Sequence, residues 1–384
     1  MLALLRNQKV RGILFQILTI LSVVAFLWYI GDNTMTNIEQ RGIKTGFAFL
    51  DGTAGFEIDE APISFSSSDT YGRVFLVGLL NTLIVTFVGI IFATILGLLV
   101  GILRLSKNWL IRKIATAYID IFRNIPILLQ ILFWYNVVLN AMPSPKQSLE
   151  FVGGIFVNNR GLYIPKPDMN STTIFVLTSL AIVFVSIYLL NKWANKRQET
   201  TGEDFPVIIV GFSALVLVPI VAYFIGGADF NFDYPALRGF NFQGGKTISP
   251  EFLALTFALV IYTATFIAEA IRSGIEAVSK GQKEAAASIG LSGYQALKLV
   301  VLPQAIRIAI PPVINQYLNL AKNSSLAAAV GYPEIITLFA GITLNQVGQA
   351  IEIIAITMLV YLTISLVVSA LLNWFNHKMK IKER

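Results

Sequence analysis

The chain is 384 residues long, 55% hydrophobic and only 13% charged, with a mean hydropathy of +0.69; soluble domains carry about 25% charged residues, which excludes an ordinary water-soluble domain. It has no cysteine and a single histidine, His377, which excludes disulfides, Fe–S clusters and thiol chemistry and leaves no His-ligated metal or cofactor to expect. The formal charge of +7 does not point to nucleic acid, because the basic residues cluster beside apolar runs, where membrane topology accounts for them.

Several of those runs reach the ~20 apolar residues that a helix needs to cross the hydrocarbon core. They predict an all-α polytopic membrane protein with about eight transmembrane helices. The first span covers Gly12 to Ile30. Arg6, Lys9 and Arg11 precede it as in a signal peptide, but no small-x-small cleavage site follows cleanly, and it reads as a retained span. A polar stretch, Gly31 to Asp69, leads to the second span, Val74 to Leu103, which Arg104, Lys107, Arg112 and Lys113 close. The third span covers Ile114 to Asn140. The loop from Ala141 to Asn170 holds Pro143, Pro145, Pro165 and Pro167, and the fourth span, Thr173 to Leu190, ends at Lys192, Lys196 and Arg197. The fifth, Pro206 to Ile225, leads into a loop rich in Gly, Asn and Phe that ends at Pro250. The sixth covers Glu251 to Ile271, the seventh Gln304 to Leu320 and the eighth Ile351 to Phe375. Between the last two, Ser324 to Leu344 is apolar but broken by Gly331, Pro333 and Gly341, so it reads either as a short re-entrant or interfacial helix or as an extension of the seventh span. Four segments result: 1–70 with the first span and an external loop, 71–140 with the next two, 141–250 with long loops around a span pair, and 251–384 with the last three.

Charge fixes the orientation. One set of loops carries Arg6, Lys9 and Arg11, the cluster from Arg104 to Lys113, Lys192 to Arg197, Arg272, Lys280, Lys283 and Lys298, and the terminal Lys378, Lys380, Lys382 and Arg384. The other set carries only Arg41, Lys44, Lys146, Arg160, Lys166, Arg238 and Lys246 among many acids. The positive-inside rule puts the first set, both termini included, in the cytoplasm, and an even number of spans agrees. No internal repeat is evident, which argues against a transporter built from repeated halves.

Within the cytoplasmic set, Ser279 to Pro303 stands out. It opens on Lys280, Lys283 and Glu284, yet Ile289, Leu291, Leu297 and Leu299 to Leu302 give it an apolar side. Glu284 sits early in a short helix, where its charge suits the positive end of the dipole. Ala285 and Ala286 permit close approach, Gly290 allows a sharp turn, and Leu302-Pro303 starts the next span. A small helical elbow follows, for which the plain alternative is an ordinary amphipathic interfacial loop. The spacing of Glu-Ala-Ala, Gly and Leu-Pro resembles the loop by which permeases of ABC importers couple to their ATPase.

The resemblance extends to Leu79-Leu80-Asn81-Thr82-Leu83, to Tyr118 through Pro126 followed by Leu128-Leu129-Gln130, to Thr265 through Ile275 and to Asn319 through Leu326, all similar to the polar amino acid branch of those permeases. Asn124 and Ile125 stand where that branch usually has Gly-Thr. One added N-terminal span and the 141–250 insertion resemble the broad-specificity general L-amino acid subgroup. The resemblance implies the type I importer permease core, with 279–303 as the coupling loop. It implies import of amino acids across the bacterial inner membrane by a pore subunit that is not itself an enzyme. The partners implied are two ABC ATPase subunits, a second and different permease subunit, and a substrate-binding protein.

Ionisable residues inside the bilayer default to function. Arg123, followed by the helix-disrupting Pro126, suits bidentate recognition of a carboxylate and equally a structural arginine that snorkels. Glu269 fits a substrate ammonium, a pair with Arg272 or a part in gating. Lys322, with Asn319 and Ser324, follows a span kinked at Pro311 and Pro312, where transporters place binding groups; its alternative is an interfacial lysine. Gln130, Asn315 and Gln316 are weaker candidates, since polar groups in spans often only join helices, at about 0.6 kcal/mol apiece. The run Gly239 to Thr247 imitates a phosphate loop with one residue too many before Lys246, and Leu291 to Gln295 imitates an ATPase signature with no nucleotide-binding domain around it. The aromatic-rich stretch Phe230 to Phe242 reads as a partner contact or an interfacial anchor. A non-transporting membrane scaffold or sensor is the competing function, and intramembrane charges without a task argue against it.

Overall fold

The computed structural model describes residues 8–42 and 44–379, without the side chains of Val10 and residues 375–379. The terminal cations Arg6, Lys378, Lys380, Lys382 and Arg384 counted above lie outside the described residues or side chains. The chain divides into two compact units, Met1–Arg123 with Val260–Arg384, and Asn124–Leu259.

In the first unit, α1 (Gln8–Arg41) continues well past Ile30, and none of its apolar window is buried. Thr70 caps α2 (Tyr71–Arg104) by accepting from the Arg73 N–H. The buried face of α2 carries Gly78, Gly89, Ala93, Gly97 and Gly101, and small residues let neighbouring backbones come close where water cannot drive packing. A Cβ on Gly97 would lie 2.7 Å from the Ile267 side chain, and one on Gly89 3.0 Å from Leu320. Thus α2 seats both α7 (Pro250–Glu276) and α10 (Leu302–Asn323). Helix α3 (Trp109–Asn124) packs Ala115 and Ile119 against Val100 and Ala268, and the Tyr118 hydroxyl donates to the Ile261 carbonyl at 2.8 Å. That packing places Arg123 beside α7.

The expected third span is interrupted. Pro126 has no N–H and forces Ile125 out of helical geometry, so α3 ends at Asn124 and α4 runs Ile127–Ala141. Among the described residues seven helices are long and apolar enough to cross a membrane, and eight if the α3–α4 pair counts as one broken span.

Lys280–Ser288 (α8) and Gly293–Ala296 (α9) follow α7, and a π turn, Leu297–Val301, runs on into α10. The apolar stretch after α10 is a 3₁₀ turn, Ser324–Ala329, then a π turn, Ile336–Thr343, joined to α11 (Leu344–Val347). Gly331, at φ 78°, turns the chain between them. Ile335, Leu338 and Phe339 then enter a core with Val74 and Val77 of α2 and Ile353 of α12 (Ala350–Met379).

The second unit holds α4, the hairpin of α5 (Ser171–Thr201) and α6 (Val207–Ile225), and the start of α7. Asn170 caps α5 by accepting from the Thr173 N–H at 2.9 Å. Gly226 closes the hairpin, since a Cβ there would meet the Thr172 Cα at 2.5 Å. Its two loops fold into short strands that the helical reading leaves out: β1 (Leu149–Phe151), β2 (Ile155–Asn158), β3 (Gly161–Ile164), β4 (Lys166–Pro167), β5 (Phe232–Asp233), β6 (Ala236–Arg238), β7 (Asn241–Gln243) and β8 (Lys246–Ile248). β1-β2-β3-β8 form an antiparallel sheet in which Leu162 pairs with Ile248, and β4-β5 and β6-β7 form two-stranded ladders. The phosphate-loop imitation is thereby the β6–β7 hairpin and the entry to β8.

Candidate functional site

The elbow is built by local capping. α8 ends in a left-handed Gly290, φ 82°, with the Gly290 N–H donating to Ala287 O at 3.0 Å and the Leu291 N–H to Ala286 O at 3.1 Å. This pattern satisfies the last carbonyls of a helix and favours glycine, because an L side chain pays for a positive φ. Ser292 then caps α9 in a reciprocal box: its hydroxyl accepts from the Gln295 N–H, and the Gln295 carbonyl accepts from the Ser292 N–H at 2.9 Å. The false ATPase signature is therefore a capping box. Ala286 is buried while Glu284 and Ala285 are exposed; Ile289 is 76% exposed and Tyr294 72%. Pro303 stands in the first turn of α10, directly after the π turn, and Leu302 beside it is exposed. The elbow presents apolar side chains and one carboxylate outward.

A second concavity lies between α7 and α10. Tyr262, Thr263 and Phe266 line one side and Gln316, Asn319, Lys322 and Asn323 the other, around about 290 Å³. Asn319 donates to the Gln316 side-chain Oε1 at 3.3 Å, and the Tyr262 and Phe266 rings lie 5.0 Å apart. The Arg123 guanidinium sits 5.4 Å from the Phe266 centroid, a cation–π distance. Asn319 and Lys322 thus share the cavity, with Arg123 over its aromatic wall. Asn315 is exposed outside that lining, and Ser324 is buried, donating to Ala321 O at 2.7 Å. Gln130, in the second unit, donates to Ile125 O at 2.9 Å across the break before α4.

Glu269 is held elsewhere, bridging Arg104 at the end of α2 and Arg272 on its own helix, while Arg272 also pairs with Glu276. The expected Arg272 partnership is there, and Arg104 is the addition. The aromatic wall was not singled out from sequence, although Tyr262 and Phe266 stand four residues apart on one helical face. Glu334 was missed entirely. It is fully buried, with its backbone against Gly78 of α2, and accepts from the Thr337 N–H at 2.8 Å, the Thr337 hydroxyl at 3.2 Å and the hydroxyl of Tyr361 on α12 at 3.1 Å.

The profile of a family described as binding-protein-dependent transport system inner membrane component matches residues 205–381. The putative amino-acid ABC transporter permease protein YhdX of Escherichia coli is 50% identical over 382 residues, covering 98% of this chain and 96% of that one. The general L-amino acid transport system permease protein AapQ of Rhizobium johnstonii is 47% identical over 378 residues, 98% of this chain and 94% of the relative. The chain belongs to the amino-acid ABC transporter permeases. The glutamate/glutamine/aspartate/asparagine transport system permease protein BztB of Rhodobacter capsulatus is also similar, 39% identical over 416 residues, covering 99% and 96%. The permease is a multi-pass inner-membrane protein whose matched family segment contains the elbow, α10 and α12. The resemblance read from the motifs is that of its relatives.

Proposed function

We propose that the permease imports amino acids delivered by an external binding protein, driven by two cytoplasmic ATPase subunits that dock on the Ser279–Pro303 elbow, with a second and different permease subunit completing the pore. Both termini and the elbow lie in the cytoplasm on this reading, consistent with the charge asymmetry of the loops. The observation that carries it is the continuity of α7. One helix bears Tyr262, Thr263 and Phe266 on the cavity, then the Glu269–Arg272 pair, and then leads within a few residues into the elbow. Displacement of the elbow is thereby delivered to the cavity wall.

The cavity suits the substrate class. Its lining carries one cation, three amide side chains and no carboxylate, and Arg123 stands at its aromatic wall. Lys322 and Arg123 bind the α-carboxylate by charge-assisted hydrogen bonds, and the amides adapt to different side chains. Glu284, Ala285, Ala286, Gly290, Leu302 and Pro303 form the ATPase contact. Reconstitution of the permease with its ATPase, partner permease and binding protein tests the reading. ATP-dependent amino acid uptake is expected, and its absence would overturn it. Lys322→Ala is expected to raise the KM for uptake about tenfold or more, the loss of one hydrogen bond to a charged group, about 1.5–3 kcal/mol.

A further inference from the structure

The β6–β7 hairpin exposes a phenylalanine beside three cations. Phe240, at its tip, is 78% exposed, while Phe242, two residues on, is buried against Phe156 and Tyr163 with ring centroids at 4.7 and 4.8 Å. The tip is fixed in place. Arg160 donates to the Phe240 carbonyl at 3.2 Å, Lys146 Nζ lies 5.2 Å from the Phe240 ring centroid, and Tyr163 donates to the Asn241 side chain at 3.0 Å. Arg238 is exposed on the same hairpin. Of the carboxylates in this unit, Glu251 accepts from the Tyr135 hydroxyl at 3.0 Å, Asp229 from Asn231, and Asp233 from the Gly245 N–H at 2.9 Å, while Glu150 stands exposed on β1 opposite Phe156.

The depth of this cluster follows from its attachments. The β2–β3 turn that carries Arg160 is tied to the ends of two helices. The Asn159 N–H donates to Pro143 O at 2.9 Å, just after α4 ends at Ala141. Gly161, at φ 125°, lies so close to the start of α7 that a Cβ would meet Ile248 O at 2.2 Å and Pro250 Cδ at 3.5 Å. Lys146 follows α4 within a short turn. The knob therefore sits beside the end of α4 and the start of α7, the ends that the two apolar helices turn to the same polar loops.

We infer that Phe240, Lys146, Arg160 and Arg238 form a lipid-binding knob, the ring entering the outer interface and the three cations meeting lipid phosphates. Aromatic rings favour that layer, and Arg and Lys bind phosphate oxygens by charge-assisted hydrogen bonds. A rigid hairpin loses little freedom on inserting one ring. The knob anchors the inserted segment of the second unit to the membrane.

The permease has no cysteine, so Phe240→Cys gives one labelling site in the chain. A nitroxide at that position, on full-length permease in nanodiscs of phosphatidylglycerol and phosphatidylcholine, is read by its accessibility to oxygen and to a nickel chelate. The oxygen-to-nickel ratio is expected to approach that of Phe212→Cys on α6 and to exceed that of Glu284→Cys on the elbow, both of which stand exposed. Adding Lys146→Gln, Arg160→Gln and Arg238→Gln is expected to shift the label toward the aqueous value and to shrink the difference between phosphatidylglycerol and pure phosphatidylcholine discs. A label that matches Glu284→Cys in the bilayer overturns the inference. So does one that leaves water only when the binding protein or the partner permease is added. None of these readings involves uptake, so a failure of the transport reading would appear separately, as missing ATP-driven uptake with the label depth unchanged.

Discussion

Glu334 is a carboxylate wholly withdrawn from water, held by the Thr337 N–H and by the Thr337 and Tyr361 hydroxyls. Glu334→Ala leaves the donors of Thr337 and Tyr361 without an acceptor and is expected to cost about 1–3 kcal/mol of stability. Residues differ in how far the chain alone reveals them. Gly290 was legible because its role is local: a helix end, a left-handed φ and a cap lie within a few residues. Glu334 was not, since Tyr361 is 27 positions away, and in sequence it is one more loop glutamate. Glu269 read two ways for the same reason, because Arg104 is 165 positions away.

At the scale of elements, the same contrast separates helices from strands. Long apolar runs announce the helices, and their ends miss mainly where polar residues continue a helix beyond the apolar part, as from Gly31 to Arg41 in α1. The break between α3 and α4 was signalled by Pro126, yet the uninterrupted hydropathy around it reads as one span. The strands were invisible because β4 and β5 have two residues each and the longest four, too short for an alternation to register. Their order depends on β3 meeting β8 across the α5–α6 hairpin. Two elements yield tests. Around Gly290 there is open space, so only its φ restricts substitution: Gly290→Val is expected to strain the elbow by about 1–2 kcal/mol and to lose uptake from inserted protein. Gly290→Asn, a residue that tolerates the left-handed region, is expected to retain most of it. Equal uptake from both would remove the backbone from the explanation. Along α2 the restriction is space instead. Gly97→Leu must displace Ile267 or the Ala264 carbonyl, and overpacking of about 1–3 kcal/mol is expected to lower the thermal stability of purified permease. Leu99→Ala, at an exposed position of the same helix, should leave it nearly unchanged.

Across the whole molecule, the elbow matters only if its motion reaches the cavity, and the Arg104–Glu269–Arg272–Glu276 chain is placed to carry it. Glu269 joins the C-terminal end of α2 to α7, and the Arg272–Glu276 pair continues to the end of α7, next to the elbow. Gly274 lets α10 lie against the same stretch, since a Cβ there would meet Ala305 O at 2.8 Å. Three helices are therefore fastened where force would enter, while the cavity residues Tyr262 and Phe266 sit farther along α7. These side chains are only partly exposed, 20% and 26% for Arg104 and Glu269, so solvent screens their attraction less than at the surface. Glu269→Gln is expected to leave ATP hydrolysis by the assembled complex largely intact while lowering amino acid uptake per ATP. If the carboxylate acts by holding Arg104, the effects are not additive: Arg104→Gln with Glu269→Gln should transport no worse than Glu269→Gln alone, a coupling on the order of 1 kcal/mol or more. Additive losses would instead mean that each residue acts alone, and α2 would then move independently of α7 during the transport cycle.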